Sequence, residues 1–507
     1  MEKINGSDSI KGFASRWGLI LTLIGASVGT GNVWRFPRMV ALKGGGSFVL
    51  AWTILLFAVS IPVIIAEMVI GRSTRHGTAG AFKDFIGEKY SWMGAFMSAT
   101  TVAITGYYTV VMGWCLQYVF LALKGFEKYD TVGLKNLFVK VSNGWMNVAV
   151  FVVVLGITAI IVVQKINKGI ERIAKYLTPL LFITLIILMI RTLTLPGAVE
   201  GVKYYFKISP ETFFSLDTWM AALSQSAWSV GPGFGLVITM GVYSKAKSDV
   251  ALNEFMQGLG NNSAAVLAGF VVLPGLFALS PSVEMATEIA KSGNYGLTFI
   301  SLAQLFAEIP GGSILGFLFF LSLFFAALTA NIIFFSTGVV PLMDAGMSRK
   351  KATGIISIIT LILGSFSAYR MDFLSNQDWV WGMALLIGTL FTCFAVWKFG
   401  AEKMRTKYIN TPDNEIYIGK WWSVSLLFVT PVLIGSMFVW WIVESIGWHE
   451  NWWNPFIIDS TGTFIFQVLT VIGIFLIFNK RISNSVKNNY IDTVSEGYPE
   501  IPEEHQK

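Results

Sequence analysis

Two short stretches place polar backbone chemistry in the middle of apolar sequence. "GASVGTGNVWRFPR" occupies positions 25–38 and "QSAWSVGPGFG" positions 225–235. Glycine weakens a helix by about 1 kcal/mol per residue and proline lacks a donor, so Gly231, Pro232 and Gly233 cannot hold a regular helix. Unwound backbone at membrane depth is tolerated only where something else satisfies it. Its freed carbonyls suit a cation, and the N–H groups of a half-helix suit a carboxylate. Two ionisable groups sit in such apolar surroundings and need partners, Arg35 and Glu67. Glu67 is placed to hydrogen-bond unwound backbone of the second stretch. Groups for covalent or metal chemistry are few. The 3 histidines are His76 and His449 in expected loops and His505 in the tail. The 2 cysteines, Cys115 and Cys393, lie in apolar runs and read as buried packing residues. There is no disulfide framework, thiolate metal site or metalloenzyme pattern.

The elements that must position those stretches are membrane helices. Of 507 residues, 54% are hydrophobic and only 13% charged, where a soluble domain carries about a quarter. The apolar residues come in runs of about 20, enough to cross a bilayer. Twelve helices are expected, near 17–40, 47–71, 92–123, 146–164, 174–193, 217–243, 253–279, 312–342, 353–369, 377–398, 422–445 and 461–479. The first run has no small-residue cleavage site, so no cleaved signal peptide is expected. Lysine and arginine concentrate in one set of loops, for example Arg72, Arg75, Lys83 and Lys89, then Lys165, Lys168, Arg172 and Lys175, then Arg349, Lys350 and Lys351. The positive-inside rule puts those loops and both termini in the cytoplasm of a multi-pass plasma-membrane protein. The net charge of +7 is then a topology signal and not a nucleic-acid surface. The outside stretch 283–310 has helical patches and is expected to cap an entrance. The tail after 481 is polar and expected to be disordered.

The two interruptions fall in the first and sixth spans, five spans apart. A pair of broken helices in corresponding positions points to a transporter built from an inverted repeat. Here the sequence resembles the neurotransmitter:sodium symporter family. "GxxVGxGNVWRFP" (25–37) is the most specific signature, followed in order by "GGGSF" (44–48), "PVIIAEMVIGR" (62–72), "ITGYY" (104–108), "KGIER" (168–172), "GPGFG" (231–235) and "FFAALTA" (324–330). The likeness covers about residues 15–480. It implies an all-α fold of 12 transmembrane helices with a 5+5 inverted repeat, like a bacterial leucine transporter. The parts would be an N-terminal tail 1–15, a first repeat 16–193, a second repeat 217–398, two added helices within 422–480, and a tail 481–507.

The resemblance also implies sites. A first sodium ion would be held by Ser27, Asn32, Ser229 and Asn262, with the substrate carboxylate; the neighbouring Asn261 leaves that register open. A second, weaker site would use carbonyls of Gly25, Val28 and Ala326 and the Thr329 hydroxyl; Ala330 lacks the oxygen the family places beside that threonine. The substrate would meet amides near Ala26, Thr30 and Gly31, the Tyr108 hydroxyl, and a side-chain pocket of Trp228, Gly231, Phe234 and Phe334. Gly29 stands where amine transporters carry aspartate, which argues for an amino acid over a monoamine. The bulk of Trp228 and Phe334 argues for a small neutral one.

Arg35 and Asp378 match an outer gate pair, and Tyr243 and Asp344 parts of an inner gate. The family's N-terminal arginine and tryptophan are missing, so Lys11 or Arg16 is expected at Asp344 and Phe13 in the tryptophan's place. Of the chloride ligands found in animal relatives the chain keeps Gln225 and Ser229, with Trp52 and Val266 at the other two positions. Chloride dependence is therefore not expected, nor proton counter-transport through a carboxylate at Val266.

The function implied is a sodium-coupled amino-acid symporter, with one or two Na+, a small amino-acid substrate and the lipid bilayer as partners, and no enzymatic activity. Ala330 keeps a proton-coupled transporter of the same fold in play. A non-transporting amino-acid sensor is a second rival, with only the tail after 481 available for signalling. A membrane enzyme is disfavoured by the lack of clustered acids and histidines. Substrate identity and oligomeric state are left open at this stage.

Overall fold

The computed structural model describes residues 12–280, 282–412 and 414–487; Lys11, His505 and the tail beyond 487 lie outside the described residues. Every regular element among them is helical. Among the described residues nine helices are long and apolar enough to cross a membrane, and a tenth when Thr461–Ile477 and Asn479–Ser485, bent by 60°, are taken together. The first and sixth expected spans are each interrupted. The first consists of α1 (Arg16–Ser27), α2 (Thr30–Val33) and α3 (Arg35–Leu42). Next come α4 (Gly46–Thr74), α5 (Ser91–Lys124), α6 (Trp145–Val162) and α7 (Ile170–Leu193). The sixth expected span is divided into α8 (Leu216–Val230) and α9 (Leu236–Gly241). The chain continues through α10 (Val250–Leu279), α11 (Gly312–Asp344), α12 (Arg349–Tyr369), α13 (Met371–Phe399), α14 (Trp421–Ile446) and α15 (Thr461–Ile477).

Polar side chains start several of these helices by accepting from free N–H groups of the first turn. Ser15 accepts from Gly18, Asp249 from Leu252, Ser348 from Lys351 and Ser460 from Thr463. The unbroken helices α5 and α11 pack lengthwise as a frame. α1 lies against α7, α10 and α11, while α9 lies against α4. The interrupted segments are thereby held inside the bundle, where unwound backbone can find partners. The 283–310 stretch folds as short helices. Its Tyr295 and Phe299 pack edge-on against Trp34, with ring centroids at 5.6 and 6.0 Å.

Candidate functional site

The second interruption is made by backbone that only glycine adopts readily. Gly231, Gly233 and Gly235 have φ of +91°, +83° and +73°, the left-handed region that costs other residues 1–2 kcal/mol or so. The opened groups are then satisfied one by one. The Gly233 N–H donates to Glu67 Oε1 at 2.8 Å, and Thr101 donates to the Phe234 carbonyl at 2.7 Å. The Val230 carbonyl accepts from Ser27 Oγ and from Gln257 Nε2, both at 3.2 Å. Glu67 thus holds the unwound backbone, as its lone position in an apolar run suggested.

The first interruption is shorter and uses no left-handed residue. Val28 and Gly29 have φ of −74° and −98°. The Gly29 N–H donates to the Ser27 carbonyl at 2.9 Å and to Asn32 Oδ1 at 3.2 Å. The Thr30 N–H donates to the Tyr108 hydroxyl at 3.0 Å. A Cβ on Gly29 would come within 2.8 Å of that hydroxyl, so α5 approaches the break closely here.

Between the interruptions lies a cavity of about 390 Å³. Ala26, Gly29, Thr30, Gly31, Tyr108, Trp228, Gly231, Phe234 and Phe334 all line it, together with Ser27, Asn32 and Ser229. Phe334 stacks on Phe234 at 5.4 Å and meets Tyr108 at 5.2 Å, which makes an apolar wall opposite the polar backbone. The lining continues through Arg35, Asp378 and Tyr295 to Trp448 and Asp459, so the cavity extends toward one face of the bundle.

At the cavity floor the structure places Asn261, and not Asn262, against the two breaks. Asn32 Nδ2 lies 2.8 Å from the Asn261 carboxamide and 3.2 Å from Ser229 Oγ. The same Asn261 atom is 3.1 Å from the carbonyl oxygens of Ser27 and Ser229. As a nitrogen it donates to both carbonyls; as an oxygen it joins them as a ligand for a cation. Asn262 is one residue, about 100°, further around α10 and only receives a bond from Asn261 at 3.1 Å. The same shift moves the position four residues on from Val266 to Ala265, which likewise offers no polar atom.

Of the residues read as a second cation site, Gly25 and Thr329 meet. A Cβ on Gly25 would lie 3.2 Å from Thr329 Cβ and 2.8 Å from Thr178 Oγ1. Thr329 Oγ1 donates to the carbonyls of Phe325 at 2.9 Å and Ala326 at 3.1 Å. Thr178 on α7, absent from the sequence reading, thus brings a hydroxyl to a place where Ala330 has none. Nothing in its own sequence surroundings, an ordinary apolar helix, marks it.

At both faces the residues read as gates meet other partners. Arg35 does not pair with Asp378. It donates to Gln225 Oε1 at 2.5 Å and to Ser224 Oγ at 2.9 Å. Asp378 lies across the cavity mouth beside Tyr107, because open space separates the two walls. At the opposite face Arg16 does not reach Asp344. It bonds Glu415 at 2.6 Å and Asn253 at 3.4 Å. Asp344 Oδ2 instead accepts from the Gly77 N–H at 2.6 Å, and the Asp344 carbonyl accepts from the Lys487 N–H at 3.0 Å. The cation beside Tyr243 is Arg349, whose Nη2 donates to the Tyr243 hydroxyl at 2.6 Å with the guanidinium 5.6 Å from the ring centroid. In sequence Arg349 reads only as one of several loop cations. Phe13 is buried and its N–H donates to the Tyr243 carbonyl at 3.1 Å.

His76 closes the same face. Its Nδ1 lies 2.6 Å from Asp84 Oδ2 and its Nε2 3.1 Å from the Lys487 carbonyl. Burial alone would lower its pKa. The Asp84 hydrogen bond, the charges of Asp344 and Asp84 and the Lys487 carbonyl outweigh that, and the pKa is raised above the ordinary histidine value.

Among the described residues no group of three or more His, Cys, Asp or Glu side chains could hold a metal ion. What this geometry offers is oxygen-rich and neutral, suited to an alkali cation beside a small solute. Comparison with known proteins agrees in kind. The sequence profile of the sodium:neurotransmitter symporter family matches residues 11–140 and 137–484. An uncharacterized sodium-dependent transporter of Methanocaldococcus jannaschii is 30% identical over 442 residues, 84% of this chain and 89% of that protein. One from Haemophilus influenzae is 30% identical over 84% of this chain and 97% of its own length. The sodium- and chloride-dependent taurine transporter of Canis lupus familiaris is 24% identical over 86% of this chain and 78% of its own. The crystal structure of MhsT in complex with L-phenylalanine superposes with a TM-score of 0.75 at 28% identity, covering 85% of this chain and 99% of that one. The profile, the relatives and the shared architecture coincide over nearly all of the described chain, and it belongs to the sodium:neurotransmitter symporter family.

Proposed function

We propose that the chain is a sodium-coupled symporter that imports a neutral amino acid by alternating access. The observation that carries this reading is the placement of the cavity. It lies between two helix breaks, with the Thr30 N–H and Tyr108 hydroxyl on one side and the oxygens of Ser27, Asn32, Ser229 and Asn261 directly beneath. A substrate carboxylate seated among the amides of Ala26, Thr30 and Gly31 would also face that cluster. One Na+ held there is then shared between protein and substrate, which is the physical basis of coupling. Tyr108, Trp228, Phe234 and Phe334 leave the side-chain end of the pocket without a charge, so a neutral substrate fits. MhsT, bound to L-phenylalanine, has the same architecture.

A second, weaker sodium site at Gly25, Val28, Ala326 and Thr329 completes the proposal, with Thr178 as the added hydroxyl. Ala265 and Val266 both lack a polar side chain, which favours chloride-independent transport. Counted with the two interrupted segments and the bent C-terminal pair, the long apolar helices make twelve spans. The lysine- and arginine-rich loops favour a plasma-membrane orientation with both termini in the cytoplasm. The cavity then opens outward, and Phe13, Tyr243 and Arg349 close the cytoplasmic side. Closing the mouth between Arg35 and Asp378 and opening the Tyr243 side would carry substrate and sodium inward together.

The test is thermal stability of the purified protein across the standard amino acids, in sodium and in potassium at equal ionic strength. A ligand at 100 times its Kd stabilises by about 2.7 kcal/mol. Neutral amino acids should raise the melting temperature in sodium only. Equal shifts in potassium would remove sodium coupling and favour the proton-coupled alternative.

A further inference from the structure

The buried face of α10 carries a file of polar side chains, Asn253, Glu254, Gln257 and Asn261, at helical spacing. Asn261 belongs to the oxygen cluster at the cavity floor. Gln257 Nε2 donates to Ser27 Oγ at 2.7 Å and to the Val230 carbonyl at 3.2 Å, so it touches both helix breaks. Asn253 ends the file, 3.4 Å from Arg16 Nε and 2.8 Å from Ser248 Oγ. Seven residues at a rise of 1.5 Å each set Glu254 about 10 Å from Asn261, toward the end of α10 near Phe13 and Tyr243.

Glu254 is the member of this file without a partner. Its side chain is fully buried, and neither carboxylate oxygen has a hydrogen bond. The charged groups on the surrounding elements are all otherwise engaged. Glu67 on α4, the acid whose charge Glu254 feels, accepts from Gly233 and Thr392. Arg72 on α4 bonds the carbonyls of Ser248 and Tyr408. Arg16 on α1 pairs with Glu415, Lys175 on α7 pairs with Glu171, and Asp249 caps α10 and accepts from the Glu415 N–H. A carboxylate buried among these with neither cation nor donor is far costlier than a neutral acid.

We propose that Glu254 is a proton-binding site of the transport cycle, protonated while the Phe13–Tyr243 side is closed and ionised when that side opens and water enters along the file. The inference rests on the transporter reading above. The step is a single proton transfer: the Glu254 O–H bond breaks and an O–H bond forms on an entering water, leaving a carboxylate and a hydronium ion that the cytoplasmic buffer takes up. Acid on the cytoplasmic side therefore holds the closed form and slows inward delivery.

The test compares the full chain with E254Q in right-side-out vesicles, following sodium-driven uptake of L-phenylalanine while only the internal pH is varied about neutrality. Wild-type uptake should fall several-fold as the interior is acidified, and E254Q uptake should be flat. An E254Q profile with the wild-type dependence overturns the proposal. Infrared spectroscopy of the purified chain in sodium at neutral pH is a second measurement that does not depend on transport. It should show a protonated carboxyl stretch that survives in E67Q and is lost in E254Q; absence of the stretch, or its survival in a folded E254Q, overturns the proposal as well. Wild-type vesicles that never accumulate an amino acid in sodium would instead refute the transporter reading, while the infrared result still decides the protonation of Glu254.

Discussion

The two helix interruptions reach the same cavity by different means. The one between α8 and α9 is built from three left-handed glycines and anchored by Glu67 and Thr101, side chains of two other helices. The one between α1 and α2 keeps ordinary φ values and is closed by its own neighbours, the Ser27 carbonyl and the Asn32 carboxamide, and by side chains that face the cavity, Tyr108 on α5 and Asn261 on α10. The first kind of break is fixed by covalent geometry and distant packing. The second rests on a few local hydrogen bonds that any solute or cation in the cavity competes for. The difference teaches that the α8–α9 break serves as framework and the α1–α2 break as the responsive half of the site.

Substitutions can break that contrast, and Gly233→Ala should have the largest effect. Its φ is +83° and a Cβ would lie 2.5 Å from the Leu385 carbonyl oxygen and 2.6 Å from the Thr389 nitrogen, both backbone. Strain and overpacking together predict a loss of about 3–5 kcal/mol, read as a collapse of the ligand-free melting temperature. Next, Glu67→Ala strands the buried Gly233 N–H and should cost about 1–3 kcal/mol; an unchanged melting temperature would show that the anchor is not needed. Gly29→Ala meets only the movable Tyr108 hydroxyl. It should leave folding nearly intact and weaken amino-acid binding roughly tenfold, about 1.4 kcal/mol, by calorimetric titration.

The pH sharpens the comparison because it acts away from both breaks. The raised pKa of His76 means that its contribution is complete below the ordinary histidine value of about 6.5 and is lost as pH rises through the raised value. A loss of about 1 kcal/mol, the size of one hydrogen bond, should appear on the alkaline side and vanish in His76→Ala. Substrate affinity should be the same with or without His76. The smallest effect belongs to Gly31→Ala. No atom lies within 4 Å of the added Cβ, so the ligand-free protein should be unchanged or stabilised by about 0.4–1 kcal/mol. Substrate binding should nevertheless fall if the carboxylate occupies that open space.

Much of the site was legible because its residues announce themselves against an apolar background. Glycine clusters, an arginine, an asparagine and a lone glutamate are costly in a membrane helix, so their presence marked 25–38, 225–235 and Glu67 before any fold was known. The nine substrate-contacting residues came instead through the family resemblance, and all of them line this cavity. What sequence missed were positions whose type is unremarkable where they stand. Asn261 and Asn262 differ by one residue, and only the rotation of α10 about its axis distinguishes them. Arg349 is one of several cations in its loop, Thr178 one of several threonines on an apolar helix, and each acquires meaning from an element far away in sequence.

The sequence by itself determined that the chain spans a membrane and that two helices must break, because bilayer length and the conformational needs of glycine and proline act locally; the oxygens and aromatic rings around the breaks came only through the family resemblance. The tertiary structure alone decided which partners meet. It set Arg35 on Gln225 while Asp378 stays across an open mouth, and it set Arg349 on Tyr243 while Asp344 holds Gly77. Pairings of that kind depend on how rigid helices are rotated and spaced, and on which side of the cavity is open. Hydrogen-bond reach of about 3 Å is far shorter than the side-to-side shift of a helix face by one residue.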